Sequence, residues 1–303
     1  MNNLKKLGLT ALAGSLVTSG AYAGALDVSG SAKITYKSQD ETEVTGNSFS
    51  LGKGITFSGS GDLDNGMTMS YNYTMTDAAF SSSAVMIDMG EAGKIGVANS
   101  VGGAGIPAYD SIIPTAGEEV WDDSNTTDNG IVTHSKANAV EYTGTFAGFG
   151  LSAAYVNDGS SNSSDSSVVV TYDGLMDGLS LGYGTGEDGE SLDLMTYFVK
   201  YTVGGITAAY QHSEKDAAAD ASDQDGTGYG ISLAVNENLS VSYGRHDVDF
   251  GGTGKEDEES SGVSASYTMG SMTITAIANS TDSEGGTAGS DDSYKELTVA
   301  FAF

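Results

Sequence analysis

The 303-residue sequence predicts an all-β fold, a transmembrane antiparallel up-and-down barrel of about sixteen strands. Three observations predict it. Apolar and polar residues alternate with period two along nearly the whole chain, and helical periodicity is nowhere sustained. The breaks between alternating runs take turns, first short and then long and polar. Aromatic residues gather at both ends of the apolar phase.

Residues 1–23 stand apart. Lys5 and Lys6, an apolar run from Leu7 to Val17 and the small-x-small triplet Ala21-Tyr22-Ala23 read as a secretory signal peptide. The run is too short, and too broken by Gly and Ser, for a membrane helix. Residues 24–303 then form one domain. The chain has no cysteine and a formal net charge of −29, which excludes thiol chemistry and argues against nucleic acid or any other polyanion as partner. No segment of this domain reaches the roughly 20 apolar residues of a spanning helix, so in a membrane it must be a closed barrel.

Taken in order, the first run is LDVSGSAKITYK, with Leu26, Val28, Ala32, Ile34 and Tyr36 on one face and Asp27, Ser29, Ser31, Lys33, Thr35 and Lys37 on the other. The same split recurs in MTMSYNYTM, LSAAYVN, LSLGYG, ITAAYQH, ISLAV, LSVSYGRH, VSASYTM and LTVAFAF. Short breaks such as DLDNGM at 62–67, GEAGK at 90–94 and VGGI at 203–206 suit tight hairpins, because Gly and Asn accept positive φ. Long polar breaks such as NDGSSNSSDSS and SEKDAAADASDQDG lie between them, with two shorter ones at 77–83 and 185–190. Outer-membrane barrels have short periplasmic turns and long outer loops in this same alternation. A soluble β-sandwich would need layers over its apolar faces, and a solenoid would show a fixed repeat; neither fits.

On the apolar phase, Phe146, Phe149, Tyr201, Tyr267 and Phe303 lie near short turns or the C-terminus, and Tyr36, Tyr73, Tyr155, Tyr210 and Tyr243 lie toward long loops. Two such belts bracketing an apolar band face lipid; the opposite, polar phase then lines an aqueous lumen. Lys53 breaks the rule, falling on the face of Phe49, Leu51, Ile55 and Phe57. Either a bulge at Gly52 or Gly54 turns it inward, or it lies at a subunit interface.

Residues 100–135 carry the longest stretch without alternation, with both prolines, Pro107 and Pro114, and the only tryptophan, Trp121. Ile106, Tyr109, Ile112, Ile113, Val120 and Trp121 are too apolar for a solvated loop and read as anchors against a wall. Pro107 and Pro114 stiffen the path, and VGGAG at 101–105 supplies the bend where the strand ends.

With this segment on the page, the sequence resembles the trimeric general diffusion porins of Gram-negative bacteria, and the AYDS and GEEVWDD runs most resemble the alphaproteobacterial branch. The resemblance implies an outer-membrane barrel whose third loop folds inward and narrows the pore, a homotrimer, and contact with lipid and lipopolysaccharide. It places Asp110, Glu118, Glu119, Asp122 and Asp123 on the acidic side of the constriction. The terminal Phe301 and Phe303 resemble the recognition signal of barrel-assembly machinery. The family's arginine-rich wall is missing: the one arginine, Arg245, falls on the apolar phase near an outer rim. Inward basic candidates are Lys33, Lys37 and Lys200, with Lys94 low near a turn, and Glu141 and Asp88 add inward negative charge. The expected function is passive diffusion of small hydrophilic solutes and ions with cation preference, since acidic rings favour cations. The alternatives are a substrate-specific channel and a structural or adhesin barrel acting through its loops.

Nothing in the sequence points to an enzyme. His134, His212 and His246 lie apart without metal-ligand spacing, and GYGTG at 182–186 is followed by no helix, so it is not a nucleotide fingerprint. No cofactor is expected. Acidic runs such as KEDEESS at 255–261 are the candidates for Ca²⁺, although a solvated loop explains them better.

Overall fold

The computed structural model describes residues 26–39, 47–122, 129–157, 164–189 and 192–303. The signal-peptide segment and Asp123 lie outside the described residues. Sixteen antiparallel strands close on themselves, each paired with its sequence neighbours and the last with the first. They are β1 (Asp27–Gln39), β2 (Phe49–Asp62), β3 (Thr68–Thr76), β4 (Ala79–Asp88), β5 (Lys94–Asn99), β6 (Ala139–Phe146), β7 (Phe149–Asn157) and β8 (Ser164–Tyr172). The second half runs β9 (Leu179–Asp188), β10 (Leu192–Val203), β11 (Ile206–Ala217), β12 (Gln224–Ala234), β13 (Leu239–Phe250), β14 (Glu258–Met269), β15 (Met272–Asp282) and β16 (Asp292–Ala302). Closure is completed past the last strand, where Gly30 N–H donates to the Phe303 carbonyl at 2.6 Å and Phe303 N–H returns to Gly30 at 2.9 Å. With no edge left, the wall strands pair with one another in a phase that offers no water.

The alternation is realised as expected. Ile34, Leu51, Val85, Val97, Val170, Val199, Ile231, Val263 and Leu297 are exposed on the outer wall, where lipid covers them. Ser152, Ser167, Thr196, Gln211, Ser213, Ser264, Asn279 and Thr298 are buried on the inner one.

One local expectation changes, and one of the two readings of Lys53 drops out. The break at 77–83 is a two-residue turn, Asp77 and Ala78, both with positive φ (51° and 71°), so β3 and β4 join as tightly as a periplasmic hairpin. Lys53 is not turned inward: β1–β2 register runs unbroken through Ala32↔Lys53, so it shares the outer face of Leu51 and Ile55. Its ammonium pairs with Asp77 at 3.3 Å, level with the β3–β4 turn, where an outward charge costs only about 0–1 kcal/mol.

Above the loop-side tyrosines, the outer wall carries an acidic collar. Strand register opposes Glu187 to Asp193, Asp193 to Asp216, Glu214 to Asp225, Asp225 to Asp249, Asp247 to Glu259 and Glu259 to Asp282. Arg245 offsets part of this, holding Asp247 and Glu259 at 2.8 Å each. Directly opposed like charges cost about 0.2–1 kcal/mol per pair. Asp225→Asn, which relieves two such pairs, is expected to raise the urea midpoint of barrel unfolding, with the gain shrinking in 1 M salt; an unchanged or lower midpoint at low salt would show that the collar is not repulsive.

Candidate functional site

Between β5 and β6 the chain enters the barrel. Glycines make the entry: Gly102 and Gly105 have φ of 65° and 67°, and Ser100 has 58°. The loop then runs across the inner wall, its backbone amides bonded to side chains of successive strands. Gly103 N–H donates to Glu141 of β6 at 2.9 Å, Gly105 to Ser152 of β7 at 2.9 Å and Ile106 to Ser167 of β8 at 2.9 Å. Ile112 donates to Gln211 of β11 at 2.8 Å, and Gln211 donates in turn to the Tyr109 carbonyl at 2.7 Å. Ala116 donates to Ser242 of β13 at 2.9 Å, and Asn279 of β15 donates to the Glu119 carbonyl at 3.2 Å. A loop amide buried without such a partner would cost about 1–3 kcal/mol; wall hydroxyls and amides supply what a neighbouring strand supplies elsewhere.

Apolar contacts bed the same path. Ile106 on the outgoing arm and Val132 on the return pack with Val169 and Leu194 of the wall. Tyr109 stacks on Phe198 at 5.6 Å between ring centres, and Trp121 lies 4.5 Å from the His246 ring. Pro107 is buried with Ile106, whereas Pro114 is only half-buried. The bed itself is made of inward glycines. A Cβ on Gly230 would lie 2.6 Å from Ile113, one on Gly228 3.1 Å from it, one on Gly244 3.1 Å from Val120, and one on Gly184 3.4 Å from Ile106.

Two of the three histidines read as isolated are clamps on the returning arm, while His212 lies on the outer wall beside Glu214 at 3.1 Å. His134 shares a hydrogen bond with Ser167 at 2.7 Å, and His246 with the Asn129 carbonyl at 2.9 Å. Their signal was inward phase, His246 in its strand and His134 in the odd segment, rather than mutual spacing. Glu141 changes role: it is buried and committed to Gly103, so it anchors the loop rather than charging the pore. Asp110 is neutralised within the loop by Lys136 at 3.5 Å, a lysine that periodicity and resemblance both passed over.

Glu118, Glu119 and Asp122 come together at the far end of the loop. Glu118 faces Lys33 of β1 at 3.7 Å, and Lys37 is paired with Glu296 of β16 at 3.5 Å. Both lysines are therefore inward, as expected, and both meet a carboxylate. Lys200 is inward on β10 but away from this cluster; Asp88 and Lys94 pair with each other at 3.1 Å near the β4–β5 turn. Burial, and then the negative charge of Glu296, raises the Glu118 carboxyl against the opposing pull of Lys33. Asp122 is pushed up to about 7 by burial and by its hydrogen bond and charge repulsion with Glu119. Opposite the loop end, and short of the inward Asp62 and Asp88 at the periplasmic strand ends, the inward side chains of β2–β4 include Thr56, Ser58, Ser60, Ser70, Asn72, Thr74 and Ser82, all uncharged, with Thr56 and Thr74 bonded at 3.0 Å. The open passage lies between this hydroxyl wall and the acidic loop end. A larger groove of about 600 Å³ opens on the outer wall at β12–β15, on the lipid-facing side and apart from the passage.

Residues 8–302 match the family model of the Gram-negative porins. The chain belongs to the Gram-negative porin family. It is thus an outer-membrane channel protein of a family of channels, not enzymes. A search of curated protein sequences finds no match. Among solved structures, the porin resembles a porin refined at 1.8 Å resolution, with a TM-score of 0.69 and 16% identity over 92% of this chain and 100% of that one. It resembles the anion-selective porin from Comamonas acidovorans at a TM-score of 0.66 and 15% identity, with the same coverage. A mutant of the Rh. blastica porin aligns at 0.62 and 12%, again over 92% and 100%. These identities establish the shared fold.

The glycine bed yields a prediction. Gly230→Val drives a side chain into Ile113 while leaving a residue that suits a strand; single-channel conductance in planar bilayers is expected to fall as the loop is pushed off the wall into the passage. An unchanged conductance from folded barrels would show that the bed does not hold the loop.

Proposed function

We propose that this porin passes small hydrophilic solutes and ions by passive diffusion and prefers cations. The observation that carries the reading is the charge balance at the passage: Lys33 and Lys37 each meet a carboxylate, while Glu119 and Asp122 stand beside them facing an uncharged hydroxyl wall. Rings of carboxylates favour cations. The fold does not decide the sign, since an anion-selective porin shares it; the charges at the passage are what support the reading. In this reading Glu118, Glu119 and Asp122 form the acidic side of the constriction and Lys33 and Lys37 the basic side. Pro107, Tyr109, Trp121 and Glu141 hold the loop. The porin works as a homotrimer in a bilayer of lipid and lipopolysaccharide, after removal of residues 1–23. Among the described residues, no group of three or more His, Asp or Glu side chains is arranged to hold a metal ion.

A carboxylate about 7 Å from a passing ion in water is worth roughly 0.6 kcal/mol, about threefold in occupancy. Glu118→Gln with Glu119→Gln is therefore expected to cut the cation-to-anion permeability ratio several-fold, read as reversal potential under a potassium chloride gradient. Anion preference in the unmodified porin would overturn the reading.

Asp122 adds a pH dependence. An acid raised to about 7 is mostly neutral at pH 6 and mostly ionised at pH 8, so cation preference is expected to grow across that interval. Asp122→Asn should flatten the profile; a profile that keeps its slope would place the titrating group elsewhere.

A further inference from the structure

Beneath the loop, on the periplasmic half of the lumen, lies a second polar recess of about 520 Å³ that the constriction does not use. Its size falls within the roughly 300–1,000 Å³ of small-molecule sites. Its depth comes from Gly150, which is inward on β7 opposite Thr171 and leaves room where a Cβ would strike the Thr171 hydroxyl. Its roof is Tyr109, fixed from above by stacking on Phe198 and by the Gln211 bond to its carbonyl. Its charges are unequal. Lys94 is committed to Asp88 at 3.1 Å, which leaves Glu91 and Asp173 as the charges on its lining outside any ion pair among the described residues. Asp173 lies close enough to raise the Tyr109 hydroxyl, second only to burial.

We propose that this recess is a binding site for small hydroxylated organic cations, a way-station on the periplasmic side of the acidic loop. The inference rests on the channel reading. A protonated amine satisfies the uncompensated carboxylates of Glu91 and Asp173, the charge-assisted bonds that fix such a group. The Tyr109 ring offers a cation a second favourable contact. Thr171 and the Tyr109 hydroxyl serve the ligand's own hydroxyl groups. A neutral sugar gains only the last of these, and an anion is repelled. The recess differs from the constriction in lying on other strands and in pairing its carboxylates with an aromatic ring.

The test is a ligand-observed NMR titration of folded porin in detergent micelles with glucosamine, glucose and gluconate. Saturable glucosamine binding is expected, at least about tenfold tighter than glucose, with gluconate unbound. Glu91→Gln with Asp173→Asn, isosteric changes near short turns, should weaken glucosamine about tenfold, while Glu118→Gln with Glu119→Gln should leave it bound. Equal binding of glucosamine and glucose, or loss of binding on the loop variant with retention on the recess variant, would overturn the proposal. Conductance of the unmodified porin in the same preparation reports the channel reading separately: current without glucosamine binding defeats the site alone, and binding without current defeats the channel reading alone.

Discussion

The need to give every backbone N–H and C=O a partner where water is scarce governs this molecule twice. In the wall, sixteen strands meet the need by pairing in a closed ring, and closure forces the two-residue rhythm, with apolar side chains toward lipid and polar ones toward the lumen. In the third loop, no neighbouring strand is at hand. There the wall's inward hydroxyls and amides, Ser152, Ser167, Gln211, Ser242 and Asn279, bond the loop backbone instead. The polar inner face that keeps the barrel wet is thus also what holds the loop in place.

Docking of the loop then sets the electrostatics. Because it is bound from β6 round to β15, the lumen that remains open is the arc of β16 and β1–β5, and the loop end delivers Glu118, Glu119 and Asp122 to the mouth of that arc. The facing wall of Thr56, Ser58, Asn72 and Thr74 carries no charge, so the field is set by the loop and only partly balanced by Lys33 and Lys37. Inward glycines are the geometric condition for this arrangement. They let Ile113, Val120 and Ile106 lie against the wall, where larger residues would push the loop into the passage.

Much of this was legible in the sequence. Period-two alternation and the short-long order of breaks predicted the barrel and its strand number, and the apolar content of residues 100–135 predicted an ordered third loop. The acidic set was found by resemblance, and the structure gathers Glu118, Glu119 and Asp122 while Lys136 removes Asp110 from it. What sequence periodicity could not show is pairing across many strands. Glu141 looks like any inward carboxylate until Gly103 is seen against it. His134 and His246 look isolated because the partner of each is far off in the chain. Lys53 stays ambiguous until the register with Ala32 fixes its face. One readable signal went unused: glycines at alternate inward positions, Gly182, Gly184 and Gly186, then Gly226, Gly228 and Gly230, mark where something must lie close against the strand.

The measurement that bears most directly on the central claim is amide hydrogen exchange in the third loop. If the loop is stitched to the wall, the N–H groups of Gly105, Ile106, Ile112 and Ala116 should exchange as slowly as those of β11, although none lies in a strand. Exchange at the rate of a solvated surface loop would contradict the docking on which the passage, its charge and the proposed preference for cations all depend.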